Sequence, residues 1–256
     1  MIRVDIQTKY QEGDPFDFGN VVFEKGRITS IIGRNGSGKS TLLKAAAGIL
    51  PYKGSIKADG TELKSFDPKE KARRIAYLPQ NQKILNIDVE TLVAHGRYPW
   101  HGSFRKLTAK DREIISKALD LTDMQYLKDK NLSELSGGER QRAYLAMVIA
   151  QDTPMILLDE PTTFMDMKVQ QSFFSILKKL KENGKGITVI LHNIEQSLSV
   201  SDMIYLIDNR TVTASGTPEE LLKEEDLIRN IFGVSLKKVD DDNLLYPYVA
   251  VKRGVF

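Results

Sequence analysis

The chain carries Gly33-Arg34-Asn35-Gly36-Ser37-Gly38-Lys39-Ser40-Thr41, a glycine, four residues, then Gly-Lys-Ser. Glycines at this spacing let the backbone curl until successive N–H groups face one anion, which is the phosphate-loop pattern. Lys39 would reach the terminal phosphates of a nucleotide, and the Ser40 hydroxyl would ligate Mg²⁺. A plain glycine turn explains the glycines but leaves the Lys-Ser pair without a reason. A second constellation, Met155-Ile-Leu-Leu-Asp159-Glu160, ends an apolar run in two acids. Asp159 would hold the metal and Glu160 would act as general base on the attacking water. An acid pair after a strand is by itself often no more than the start of a solvated loop. The phosphate loop is what makes the catalytic reading the better one.

Such residues need rigid elements to bring them together. Ile28–Ile32 is short, apolar and β-branched, and it reads as a buried strand running into the glycine loop. Lys39–Ala47 then reads as a helix. Met155–Leu158, Ile187–Leu191 and Met203–Ile207 repeat the buried-strand pattern, with a helical face at Val169, Phe173, Ile176, Leu177 and Leu180 between them. This alternation predicts an α/β fold with a parallel sheet and ligands at the carboxyl ends of its strands. From about Asp88 to Leu135 the texture turns helical and polar, with Gly96–Gly102 expected as a loop between helices. Strand-like pieces such as Tyr246–Val251 return after about Ser235. The Arg73-Arg74 pair and the lysines at 178, 179 and 181 read as solvated helix faces.

Composition bounds the rest. The 256 residues are 41% hydrophobic and 28% charged, ordinary for a globular chain. A formal charge of +3 is too small to argue for a nucleic-acid partner. With no cysteine, disulfides, thiolate metal sites and a cysteine nucleophile are impossible, and a reducing compartment is compatible. The longest apolar stretch, Ala143–Ala150, falls far short of the about 20 residues a membrane-spanning helix needs. The charged N-terminus lacks an apolar leader core, so export by the general secretory route is not expected.

Leu135-Ser136-Gly137-Gly138-Glu139-Arg140-Gln141-Arg142 resembles the signature sequence of ATP-binding-cassette proteins. The other cassette elements follow in order. Gln80 matches the glutamine loop, Phe164-Met165-Asp166 the D-loop, and His192 the switch histidine. Tyr10 stands where an aromatic would stack on adenine, although Phe16 or Phe18 could also do so. The resemblance covers roughly residues 1 to 250. It implies one ABC-type nucleotide-binding domain over residues 1–256, with a RecA-like parallel-sheet core and an antiparallel β subdomain. A helical subdomain would be inserted at about 88–150, and a strand region would occupy about 235–256.

The resemblance further implies that ATP and Mg²⁺ bind along Tyr10, the phosphate loop from Gly33 to Thr41, Gln80, Asp159 and His192. Glu160, His192, Gln80 and Lys39 would act in hydrolysis, and Ser40, Gln80 and Asp159 would surround the metal. Ser136, Gly137, Gly138 and Glu139 would meet the nucleotide held by a second copy stacked head to tail, with Asp166 at the crossing. DNA-organising cassettes usually separate loop and signature by a long coiled coil, and translation-associated ones usually carry two cassettes. Neither pattern is present here. The stretch Gly96-Arg-Tyr-Pro, the D-loop and the tail Gly216-Thr-Pro-Glu-Glu-Leu-Leu222 look like importers for iron–siderophores, with cobalamin and haem importers as alternatives. The implied partners are transmembrane permease subunits on the cytoplasmic face of the membrane and, indirectly, a substrate-binding lipoprotein. Asn193 after the switch histidine and His95 depart from the usual pattern.

Overall fold

Strand β3 (Ile28–Gly33) is buried along almost its whole length, as its β-branched composition requires, and the rest of the molecule is layered around it. In this computed structural model, residues 1–8, 15–101, 106–163, 165–239 and 248–251 are described. The strands before β3 are β1 (Ile2–Thr8) and β2 (Phe16–Phe23), followed after the loop by helix α1 (Lys39–Ala46). Next come β4 (Lys53–Ala58), β5 (Thr61–Glu62), α2 (Pro68–Arg74) and β6 (Ile75–Leu78). Four helices follow, α3 (Val89–His95), α4 (Tyr98–His101), α5 (Ala109–Leu121) and α6 (Gly137–Ala150). The chain then alternates through β7 (Met155–Leu158), α7 (Met167–Glu182), β8 (Gly186–Ile190), α8 (Ile194–Val200) and β9 (Met203–Asp208). It ends in β10 (Thr211–Gly216), α9 (Pro218–Leu221), α10 (Glu225–Phe232), β11 (Ser235–Lys238) and β12 (Tyr248–Val251).

Among the described residues, ten strands form one sheet in the order β5-β4-β1-β2-β10-β9-β3-β8-β7-β6. Strands β9, β3, β8, β7 and β6 are parallel, so the strand-to-helix turns after β3 and β7 open on the same edge. Strands β1, β2, β4 and β5 pair antiparallel beside them. In β1 the alternation is strict: Ile2, Val4 and Ile6 face inward while Arg3, Asp5 and Gln7 face out. The fold is therefore the α/β cassette architecture that the motifs imply, with an antiparallel wing and a helical subdomain.

Among the described residues, three apolar clusters hold these layers. One joins the sheet to α3, α5, α6 and α7; a second joins the antiparallel wing to α1. The third packs α8, α9 and α10 with β12 on the far side of β3 and β9. The helices start where side chains accept otherwise unpaired N–H groups, as with Asp67 on α2, Thr108 on α5 and Asp166 on α7.

The segment expected as a loop at Gly96–Gly102 instead contains the one-turn helix α4, clamped from several sides. Arg97 Nε donates to Asp111 (2.9 Å) and Nη1 to the Ala150 carbonyl (2.8 Å), both partners buried. Trp100 Nε1 donates to the Gln151 carbonyl (2.8 Å). Arg73 Nε donates to the Pro99 carbonyl (2.9 Å), and Arg74 lies over the Phe66 ring, so this pair does not form a solvated face. Of the lysines on α7, Lys178 and Lys179 are exposed, while Lys181 is bonded to Asp202. No described helix is long and apolar enough to cross a membrane.

Candidate nucleotide-binding site

β3 delivers the glycine loop and α1 carries it away. At Gly33 a Cβ would lie 1.9 Å from the Ile207 carbonyl oxygen, so only glycine fits against β9. At Gly38, with φ +108°, a Cβ would strike the Phe16 ring. Within this turn Lys39 is 5% exposed, and its ammonium donates to the carbonyls of Gly33 (3.0 Å) and Arg34 (2.9 Å). Burial pushes the Lys39 ammonium below its ordinary range, against the opposing pull of Glu160 and Asp159. An incoming phosphate would relieve that cost. Among the described residues, the buried Ser37 hydroxyl has no hydrogen-bond partner.

β7 brings the acids to the same edge. Asp159, 1% exposed, accepts from Ser40 Oγ (2.8 Å) and from the Tyr77 hydroxyl (3.0 Å). Burial raises its pKa, and those two bonds work against the rise. The pairing of Ser40 and Asp159 is a set of hard oxygen donors close together, which suits Mg²⁺. Tyr77 was not indicated by any motif. It is found only because β6 pairs in parallel with β7, a register the sequence does not display.

Glu160 adopts φ 51°, unusual for a non-glycine residue and a form of backbone strain that collects at working sites. Its Oε2 lies 2.6 Å from His192 Nε2 and also meets the side-chain amide of Gln80. His192 follows β8, and Gln80 lies just past β6, so three neighbouring strands converge on one carboxylate. Asn193 accepts from the Gln196 N–H and caps α8, which gives the departure at that position a structural role.

A cleft of about 590 Å³ joins these groups, lined by Phe16, Asn35, Gly36, Gly38, Lys39, Ser40, Thr41, Gln80, Glu160 and His192 among others. Phe16 forms one wall, with the Arg210 guanidinium 5.5 Å from its ring centre. Phe18 is fully buried and cannot reach a base. Tyr10 and Phe164 lie outside the described residues. Arg34 belongs to the loop, but its side chain turns away to α10.

The signature residues stand elsewhere. Ser136 and Gly137 are exposed at the start of α6, and neither lines this cleft. Ser136 Oγ accepts from the Glu139 N–H (3.3 Å), and Glu139 accepts from the Ser136 N–H (2.8 Å), a capping box. Gly137 instead lines a smaller cleft of about 260 Å³ with Gln80, Asn81 and Arg140, so Gln80 borders both spaces. Asp166 is exposed and caps α7 through the Val169 N–H (2.8 Å).

The glycine loop between a buried strand and a helix, with acids at the end of a parallel strand two places along the sheet, places the chain among α/β nucleotide-binding proteins with a phosphate loop. A family model described as ABC transporter matches residues 19–163. The chain is 40% identical over 252 residues to the petrobactin import ATP-binding protein FpuD of Bacillus anthracis, covering 97% of this chain and 92% of that protein. It is 38% identical over 219 residues to the ferric enterobactin transport ATP-binding protein FepC of Escherichia coli (strain K12), covering 84% and 80%. The fold matches a metal-chelate type ABC transporter in an inward-facing conformation with TM-score 0.82 and 24% identity, over 98% of this chain and 97% of that one. The chain belongs to the ABC transporter family and is an ATPase of that family.

Proposed function

We propose that this chain is the ATP-hydrolysing subunit of an importer for iron–siderophore complexes. The observation that carries the hydrolytic reading is the Glu160 carboxylate, 2.6 Å from His192 and turned into the phosphate-loop cleft. Backbone N–H groups of the loop and the Lys39 ammonium would bind the β- and γ-phosphates. Ser40, Asp159 and Gln80 would surround Mg²⁺, which when bound neutralises charge on the phosphate oxygens. Glu160 would accept a proton from the water whose oxygen attacks the γ-phosphorus, and ADP would leave. His192 would hold Glu160 and the γ-phosphate in register. Phe16, with Tyr10, would bound the base.

Residues 1–256 are read as a single cassette, with a helical subdomain at about 88–150 and a strand region at about 235–256. Two copies would stack head to tail, so that Ser136, Gly137, Gly138 and Glu139 of one complete the site of the other. The exposed, outward-facing position of Ser136 supports this arrangement. Asp166 would lie at the crossing. Transmembrane permease subunits would hold the pair at the cytoplasmic face of the membrane, with a substrate-binding lipoprotein delivering cargo from outside. The petrobactin and enterobactin proteins among the relatives support the cargo class.

Uptake of radiolabelled ferric siderophore into cells lacking this chain tests the reading. Wild-type chain should restore uptake and Glu160→Gln should not. Unchanged uptake in the deleted cells would overturn the cargo assignment.

A further inference from the structure

Arg34 is a two-sided joint. Its side chain leaves the cleft: Nε donates to the Ile231 carbonyl at 3.1 Å and Nη2 to the Asn230 carbonyl at 2.5 Å. These carbonyls belong to the last turn of α10, which ends at Gly233 with φ 70°. Carbonyls in a last helical turn have no donor inside the helix and carry partial negative charge. A planar guanidinium presents its N–H groups to two of them in a fixed fork, whereas the ammonium of a lysine sits on a flexible stem without that geometry. The backbone of the same residue faces the other way. The Arg34 carbonyl accepts from Lys39 Nζ (2.9 Å) and from the Ser37 N–H (3.2 Å).

α10 is itself fixed in place. Ile228 and Ile231 are buried in the third apolar cluster with Ile32, the residue before the loop, and with Ile194 of α8. β12 is tied to α8 as well, because the Ala250 N–H donates to the Glu195 carboxylate. The carboxy-terminal unit therefore braces both the entry to the phosphate loop and the helix that follows His192.

We propose that Arg34 is a positioning residue for nucleotide binding, through which α10 sets the turn of the phosphate loop and the direction of the Lys39 ammonium. The proposal rests on the phosphate loop being the ATP site. Without the clasp, the Arg34–Ser37 turn loses one anchor and Lys39 loses a fixed acceptor. The nucleotide must then order the loop at the expense of its own binding. Such a loss acts on ground state and transition state alike, so affinity falls while turnover at saturation is kept.

The test compares Arg34→Ala, Arg34→Lys and Lys39→Ala in the full chain. A fluorescent ATP analogue reports Kd, steady-state turnover separates KM from kcat, and hydrogen exchange follows residues 33–41 without nucleotide. Arg34→Ala should weaken binding about tenfold, the size expected for a lost hydrogen-bonded charge, with kcat within about twofold. Exchange in the loop should speed up, and Arg34→Lys should recover part of the affinity. Wild-type binding by Arg34→Ala alongside lost binding by Lys39→Ala would overturn the clasp alone. So would a loss that follows unfolding and is not recovered by lysine. Wild-type binding by Lys39→Ala would remove the phosphate-loop reading, and the clasp with it.

Discussion

The phosphate loop and the signature turn both lead into helices, yet they are finished in opposite ways. Around the loop, a buried Ser37 hydroxyl has no partner among the described residues and a buried ammonium rests on two carbonyls. Its neighbour Glu160 sits in a strained backbone conformation. At the signature, Ser136 and Glu139 satisfy each other reciprocally, in the open. A concave site with unmet polar groups binds its ligand directly, because the ligand supplies the missing bonds. A satisfied, exposed helix start gains little from free nucleotide and suits a ligand already presented by another surface. Within one copy the two line different clefts.

The largest effect that would break this contrast is at Glu160. Glu160→Gln should lower turnover by about 10²- to 10⁴-fold, the usual range for removing a general base, while nucleotide still binds. Turnover assays beside equilibrium binding check it, and near wild-type turnover would remove Glu160 from the chemistry.

The next effect concerns the platform that holds the signature helix. Burial opposes ionisation of Asp111, but bonds from Thr108, Arg97 and His101 outweigh it and hold the carboxyl well below the usual range. Asp111→Ala leaves the Arg97 guanidinium buried without its counter-charge and should cost about 3–5 kcal/mol in denaturant unfolding. The folded pKa lies below the unfolded one of about 3.9, so this stability is complete above about pH 5. It is lost as pH falls through the folded value, and the gap between wild type and variant should narrow at pH 3. A gap independent of pH would show that packing, not charge, is what Asp111 supplies.

Lys39→Ala should weaken nucleotide binding by roughly 30- to 100-fold, the range of hydrogen bonds to a charged group, with little change in melting temperature. Calorimetric titration would decide it. The smallest change belongs to the signature. Ser136→Ala should lower turnover about tenfold and stability by about 0.5–2 kcal/mol, leaving nucleotide affinity of the isolated chain unchanged. An equal loss of affinity in the isolated chain would place Ser136 in its own cleft and end the contrast.

Much of this was legible because local rules and global fold agree. The strand at Ile28, the helix at Lys39 and the acids after Leu158 are placed within a residue or two by period and composition. Other positions depend on partners distant in sequence. Phe16 and Phe18 are indistinguishable by type and share one face of β2, but Phe16 at the strand's start lines the cleft while Phe18, one step further in, is fully buried. Arg73 reads as solvated on a short polar helix, whereas a carbonyl of α4 accepts its guanidinium. The strand β1 carries no motif, although its inward and outward residues alternate without a break.

The sequence by itself determined the chemistry available: a glycine loop that only glycine can close, a lysine, two acids at a strand end and a capped signature. Those features are local, since backbone freedom, strand period and capping act over a few residues. The tertiary structure decided which groups meet. Parallel pairing of β6, β7 and β8 brings Tyr77, Asp159, Glu160 and His192 to one edge. Packing of α10 against α8 and β3 turns Arg34 outward. Such choices rest on contacts between residues far apart in the chain, which no local pattern encodes.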